Sequence, residues 1–199
     1  MYMVGANNDS IYQYSLTTAY DIGTASFSKS FDVSGEDTIP QGITWNNDGT
    51  QMYMVGTNND SIYQYSLTTA YDISTASFSK SFDVSGQDTT PVGMALNNDG
   101  TLMYMVGGAN DNIYQYSLTT AYDIGTASFS KSFDVSGQDI EPAGMAWNND
   151  GALMYMVGLS NDNIYQYTID ATTRIDIIAL NQHNTGTVAA EITHKGVAV

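Results

Sequence analysis

Carboxylates dominate the side chains of this chain that could carry out chemistry. The sequence holds 21 Asp and Glu residues against 5 Lys and Arg, has no cysteine, and places its two histidines, His183 and His194, near the C-terminus. Two histidines eleven residues apart are a poor metal-binding signature, and we interpret both as polar surface residues. No Ser-His-Asp arrangement, thiol nucleophile or phosphate-binding glycine loop is present, so the sequence predicts no catalytic residues. We expect a non-enzymatic protein.

The commonest acidic motif is NNDG, which recurs three times and contains Asp48, Asp99 and Asp150. It resembles part of a calcium loop but lacks the alternating acidic ligands and the distal Glu, so we interpret these residues as turn formers. A second hypothesis remains open. Asp32, Asp37 and Asp60, with their equivalents in other repeats, would converge on one mouth of a channel and hold a divalent cation such as Ca²⁺. Otherwise the sequence predicts no cofactor.

The net charge of −16 limits the partners of the chain. Such a charge repels phosphate backbones, so nucleic-acid binding is excluded. No apolar stretch approaches the length needed to cross a membrane, and the sequence therefore predicts no membrane insertion.

The elements that position these carboxylates repeat with a strict period. MYMVG begins at Met1, Met52, Met103 and Met154, and IYQY follows with the same spacing of 51 residues. Neighbouring units match at 42 of 51 positions. We therefore divide the chain into a repeat region, 1–169 (units 1–51, 52–102, 103–153 and the partial unit 154–169), and a C-terminal tail, 170–199.

Each unit contains four short segments rich in Tyr, Val, Ile and Phe, separated by Asn, Asp and Gly. This pattern predicts four antiparallel strands, which in the second unit are Pro40–Trp45, Gln51–Gly56, Ile62–Leu67 and Ser77–Val84. Four strands in about 50 residues, repeated in tandem, are the size of a β-propeller blade. We predict an all-β propeller of about four blades that is incomplete or open, because the first unit lacks its first strand and no repeat-like segment supplies it. RIDIIAL (174–180) is a candidate fourth strand for the last blade, and residues 185–199 are expected to add at most one or two strands.

The repeats resemble propeller blades of the NHL and YVTN class. The residues that carry this resemblance are Asn47-Asp48-Gly49, Met52-Tyr53-Met54-Val55 and Ile62–Leu67. The chain is still more similar to Tyr- and Asp-rich tandem repeats of large surface, adhesin-like or phage structural proteins of marine bacteria and viruses. The resemblance covers Met1 to Ile169 and implies an extracellular, cell-surface or virion-associated location. Propellers that resemble lactonases use a metal at the channel mouth, so a hydrolase of that type is the alternative function.

Within a blade, the pattern makes several packing predictions. Gly42, Gly93 and Gly144 are expected where the first strands crowd at the channel. The paired tyrosines of the third strand are expected between blades, with carbohydrate stacking as the alternative. Phe27, Lys29, Phe31 and Val33 are predicted to share one face of the fourth strand, where Lys29, Lys80 and Lys131 would protect an exposed sheet edge.

The repeats differ mainly in two places, the segment that leads into the first strand and the turn between the second and third strands. These two connections lie at one end of a blade, and we predict that they form a ligand-facing rim. Its candidate residues are Asp37, Asp88, Asp139, Asn58, Asp60 and Asp111. The expected partners are a protein or a glycan, together with further blades from a longer chain, of which this would be a piece, or from a second copy.

Overall fold

The computed structural model describes residues 1–169 and the backbone of residues 175–180, and this part of the chain is all-β. Its strands form four antiparallel sheets, which we call blades 1 to 4. Blade 1 contains β1 (Tyr2–Gly5), β2 (Ser10–Leu16) and β3 (Ala25–Asp32); blade 2 contains β4 (Pro40–Trp45), β5 (Gln51–Gly56), β6 (Ser61–Leu67) and β7 (Ala76–Asp83); blade 3 contains β8 (Pro91–Leu96), β9 (Leu102–Gly107), β10 (Asn112–Leu118) and β11 (Ala127–Asp134); and blade 4 contains β12 (Pro142–Trp147), β13 (Leu153–Gly158), β14 (Asn163–Ile169) and β15 (Ile175–Leu180). None of the described residues belongs to a helix long and apolar enough to cross a membrane.

In every blade, strands that follow each other in sequence are neighbours in the sheet. The first strands of blades 2, 3 and 4 lie side by side, and β8 contacts both β4 and β12. Gly93 sits so close to Gly144 that a Cβ on Gly93 would lie 3.2 Å from the Cα of Gly144. The predicted crowding of glycines is therefore confirmed, and consecutive blades are arranged as in a β-propeller.

The turns between strands have the chemistry that the sequence predicts. Gly49 in the first NNDG turn has a φ of 72°, a left-handed conformation that glycine adopts without strain. Asp48 accepts a hydrogen bond from the backbone N–H of Thr50 at 2.8 Å, and this bond and a bond from the Thr50 hydroxyl lower the pKa of its carboxyl. The role of the NNDG aspartates as turn formers is thus confirmed for this turn.

The hydrophobic core lies between blades. One cluster of fully buried side chains joins Tyr53 and Ile62 of blade 2 to Met103 and Tyr116 of blade 3, and equivalent clusters form at the other two junctions. Tyr65, Tyr116 and Tyr167 are completely buried. These third-strand tyrosines pack between blades, as predicted, and are not available for stacking on a carbohydrate.

Two expectations about the fourth strand are wrong. A β-bulge opposite Gln13 and Tyr14 pairs Lys29 with Gln13 and Phe27 with Tyr14, so Phe27 and Lys29 point to opposite faces. Lys29 and Lys80 also do not protect a sheet edge, because each forms an ion pair with an aspartate of the next blade. The alternation was misjudged because one extra residue in the strand reverses the faces on either side of it.

Blades 1 and 4 differ from the two blades between them. Blade 1 has three strands, and β15 occupies the fourth position of blade 4, where its backbone pairs antiparallel with β14. The two histidines and the strands expected within residues 185–199 lie outside the described residues.

Candidate functional site

The predicted rim is built around a buried aspartate in each blade. In blade 2 this is Asp37, which is 1% exposed. Its Oδ1 accepts hydrogen bonds from the backbone N–H groups of Ile39 (2.8 Å) and Asn58 (3.2 Å). Its Oδ2 accepts bonds from the backbone N–H of Asn59 (3.0 Å) and the hydroxyl of Tyr63 (3.2 Å). One carboxylate therefore ties together the two connections that vary most between repeats.

The same arrangement recurs in blades 3 and 4. Asp88 accepts bonds from Thr90, Ala109, Asn110 and Tyr114 at 2.8–3.3 Å. Asp139 accepts three backbone bonds at 2.8–3.2 Å. Burial, followed by the nearby Asp88 carboxylate, raises the pKa of the Tyr114 hydroxyl, which therefore stays a donor at neutral pH.

Sequence reasoning missed the glycine that makes room for each aspartate. A Cβ on Gly56 would lie 2.2 Å from the Cγ of Asp37, and Gly107 and Gly158 lie equally close to Asp88 and Asp139. A side chain at these positions would overlap the carboxylate. The invariant Val-Gly at the end of each second strand was the signal that could have revealed the buried acid.

The other candidate rim residues are more accessible. Asn58 is exposed, whereas Asp60 and Asp111 are half-buried in left-handed turn positions with φ of 48° and 53°. Desolvation and the neighbouring Asp83 carboxylate raise the pKa of Asp60. The structure thus brings Asp37, Asn58 and Asp60 together in blade 2, and a role of the six candidates in ligand binding stays a prediction.

The side chains that the rim displays differ from blade to blade. Backbone bonds of 2.8–3.0 Å join the two connections in the same way in blades 2, 3 and 4. Next to these bonds, Ile39 is 40% exposed in blade 2, and Ile140 and Leu159 are 60% and 61% exposed in blade 4. In blade 3 the corresponding positions are Thr90 and Gly108. A constant backbone therefore presents an apolar pair, beside Glu141, in blade 4 only.

The opposite end of the blades carries a second feature. The third and fourth strands of blades 1, 2 and 3 are joined by eight residues (17–24, 68–75 and 119–126) that contain the sequence Tyr-Asp-Ile and a short 3₁₀ turn. We call each of these segments an insertion loop. The loops of blades 2 and 3 dock against the preceding blade, where Ile73 and Ile124 become completely buried. They are the main polar link between neighbouring blades.

A cleft of about 580 Å³ opens between blades 3 and 4 at this same end. It is bounded on the blade 3 side by Tyr104, Gln115 and Lys131, and on the blade 4 side by Trp147 and Gly151. Among the described residues, Lys131 forms no ion pair, in contrast to Lys29 and Lys80. Sequence reasoning did not identify this cleft.

The channel-mouth metal hypothesis has no cluster of ligands among the described residues. No group of three or more His, Asp or Glu side chains lies close enough there to hold a metal ion. Asp32 is exposed and bonded to Ser34, while Asp37 is saturated with backbone donors.

Comparison with known proteins identifies the fold. No protein-family model matches the sequence, and no curated protein is significantly similar to it. Three solved structures are similar: a protein from Lactobacillus plantarum (TM-score 0.61, 12% identity, 98% of this chain and 64% of that chain), the periplasmic gluconolactonase PpgL of Pseudomonas aeruginosa (0.53, 14%, 94% and 51%) and the β-propeller domain of Cps50 (Swd1) from Myceliophteria thermophila (0.53, 14%, 82% and 48%). The described fold is therefore that of part of a β-propeller, and the chain spans about half to two thirds of the length of these proteins. At such identities the likeness concerns the fold alone.

Proposed function

We propose that the chain is a non-enzymatic β-propeller module that serves as a scaffold and presents a recognition surface at its rim. One observation carries this proposal. The Asp37-type carboxylate fixes the rim backbone identically in three blades, while the exposed side chains beside it change from blade to blade. A backbone that is held constant under varying side chains suits binding better than catalysis.

The apolar pair Ile140 and Leu159 is the strongest candidate contact. Exposed apolar side chains rimmed by polar ones are typical of binding surfaces. Glu141 lies between them in the structure, since its backbone carbonyl accepts a 3.0 Å hydrogen bond from the N–H of Leu159. A glycan or a protein segment with an apolar face and hydrogen-bond donors or a positive charge fits this combination. The high negative charge and the resemblance to adhesin-like repeats favour a module of a surface or virion-associated protein.

A glycan array tests this proposal directly. We expect binding by the purified chain that is lost when Ile140 and Leu159 are both changed to Asp. The matched control is Phe129→Ser, which removes an exposed apolar side chain (48% exposed) on the fourth strand of blade 3, away from the rim. Binding that survives the double change would reject the rim as the contact surface.

The alternative function is a lactonase-like hydrolase with a metal at the channel mouth. The observation in its favour is the similarity to the gluconolactonase of Pseudomonas aeruginosa. Against it, each Asp37-type carboxylate already accepts three backbone N–H bonds, which leaves little capacity for a cation. Hydrolysis of gluconolactone, measured with and without added Ca²⁺ or Zn²⁺, separates the two functions. A metal-dependent rate above the spontaneous one would favour the hydrolase.

A further inference from the structure

The cleft between blades 3 and 4 is equivalent to two sites that are filled within the same chain. At each of the two preceding junctions an insertion loop occupies this place. The filled sites therefore show what the open site is built to bind.

The docked loops make the same four contacts at both junctions. At the junction of blades 2 and 3, the carbonyl of Tyr122 accepts a 2.6 Å bond from the hydroxyl of Tyr53, and the N–H of Ile124 donates a 3.1 Å bond to Oε1 of Gln64. Asp123 forms an ion pair with Lys80 at 2.5 Å, and Ile124 is buried in the core between the blades. The junction of blades 1 and 2 has the same contacts through Tyr2, Gln13, Lys29 and Ile73.

The tyrosine of each docked loop also covers the NNDG turn of its own blade. The rings of Tyr71 and Tyr122 lie over Gly49 and Gly100, so close that a Cβ on either glycine would be within 2.5 Å of the ring. The hydroxyl of Tyr122 donates a bond to the carbonyl of Asn98. A complete site therefore consists of the preceding blade and the turn of the following blade.

All of these receiving groups recur around the open cleft. Tyr104, Gln115 and Lys131 correspond to Tyr53, Gln64 and Lys80. Gly151 has the same left-handed backbone as Gly100, with φ of 74° and 70°, but no described atom lies within 4 Å of its Cβ direction. Lys131 is exposed, whereas Lys29 and Lys80 are half-buried by their loops.

Trp147 supplies an independent sign that a partner belongs here. Its equivalent Trp45 packs between Tyr2 and Tyr71, at ring distances of 4.8 and 5.5 Å. Trp147 packs against Tyr104 at 4.8 Å, and among the described residues its buried indole Nε1 has no hydrogen-bond acceptor. A tyrosine-bearing loop would complete the stack and bring backbone carbonyls near this donor.

Blade 4 cannot supply the loop in the usual way. Ile169 pairs directly with Ile175, so only five residues join its third and fourth strands, compared with eight in the other blades. At the spacing of the repeat, Arg174 stands where Asp72 and Asp123 form their ion pairs. A second arginine or lysine charge beside Lys131 would be repelled.

The chain also displays one insertion loop that has no site to occupy. In blade 1, Tyr20 is 100% exposed and Ile22 is 76% exposed, although their equivalents Ile73 and Ile124 are fully buried. Tyr20 has the same left-handed φ (64°) as the docked tyrosines, and Asp21 accepts the same backbone bond from the second following residue. The loop is thus already in its docked shape, which lowers the entropic cost of binding.

We propose that the cleft between blades 3 and 4 binds the Tyr20-Asp21-Ile22 loop of a second copy of this chain. In this contact Lys131 pairs with the incoming Asp21, Gln115 accepts the backbone N–H of Ile22, and the Tyr20 ring lies over Gly151 beside Trp147. The site is an assembly site at the end of the blades opposite the rim, and it does not depend on the proposed recognition function.

A charge exchange across the contact tests this proposal. The wild-type chain should associate in a concentration-dependent way in sedimentation velocity, between roughly 10 µM and 1 mM. Asp21→Lys alone and Lys131→Glu alone should each weaken association at least tenfold, because each places like charges together. Mixing the two variants should restore it, since both loops then meet a cleft of opposite charge. Ser130→Glu, on the same strand, is the matched control for added negative charge and should leave association unchanged.

Fluorescence provides a second measurement that does not need the whole assembly. A peptide of residues 17–26, added to a Trp45→Phe chain, should change the emission of Trp147, and the same peptide with Lys in place of Asp21 should not. The proposal is overturned if the wild-type chain stays monomeric over the whole concentration range. It is also overturned if the single variants associate like wild type, or if the mixed variants do not recover. Unchanged thermal unfolding of both single variants would show that any loss of association is not a loss of folding.

Discussion

The buried rim aspartate makes the most specific prediction about stability, which concerns Asp88→Asn. The Asp88 carboxylate accepts four hydrogen bonds, two at each oxygen. In asparagine one oxygen becomes an NH₂ group, so whichever way the amide is turned, a buried donor faces a backbone N–H. A hydrogen bond to a charged group contributes about 1.5–3 kcal/mol, and the bonds that remain become neutral ones of about 1 kcal/mol. We therefore expect the free energy of unfolding to fall by about 3 kcal/mol.

Urea unfolding followed by tyrosine and tryptophan fluorescence measures this loss. With a slope of about 2 kcal/mol per molar urea, the midpoint should fall by about 1.5 M. Asp99→Asn is the matched control, because it removes the same charge from an exposed NNDG turn and should move the midpoint far less. A midpoint of Asp88→Asn no lower than that of Asp99→Asn would refute the role of the carboxylate as the tie between the two rim connections.

Three further predictions concern the insertion loops and their turns. Ile124→Ala should lower the free energy of unfolding by about 3 kcal/mol in a denaturant titration, because the side chain is fully buried, whereas Ile22→Ala, at 76% exposure, should leave it nearly unchanged. Gly100→Ala should destabilise the chain more than Gly151→Ala in thermal unfolding, since both strain a left-handed backbone but only the first also displaces a tyrosine ring. The hydrogen bond from the Lys of blade 1, with bonds from Ser74, holds the pKa of Asp72 at about 2, below its ordinary value near 3.8. Because the folded pKa is the lower one, the stabilisation is complete above pH of about 4 and is lost as the pH falls towards 2; a carboxyl titration by NMR that gives an ordinary pKa would contradict this ion pair.

The strands were predictable because the signal is local. Alternating apolar residues bounded by Asn, Asp and Gly mark them, and β4 and β5 have the predicted bounds. The tyrosine packing followed from the same periodicity. The bulge in the fourth strand was not predictable from alternation, because the residue that breaks the pattern is an ordinary serine among serines.

The docking of the insertion loops was hidden by the repeat itself. Every unit contains both the lysine and the aspartate of the ion pair, so the sequence does not say whether Lys29 meets Asp21 of its own blade or Asp72 of the next one. The structure shows the second arrangement. The rim aspartate was missed for a different reason: its donors are mostly backbone N–H groups, which any residue type provides. Only the neighbouring glycine constrains the sequence.

The two proposed binding surfaces can be tested independently because they lie at opposite ends of the blades. The six residues of β13 run from the NNDG turn, beside the cleft, to the rim turn that contains Leu159. At about 3.3 Å per residue the two surfaces are more than 15 Å apart. Charge changes at Lys131 should therefore alter association and leave rim binding intact, and changes at Ile140 should do the reverse. If a single change abolished both, the rim would be formed by the assembly rather than by one chain, and the recognition surface would have to be sought across the contact between two copies.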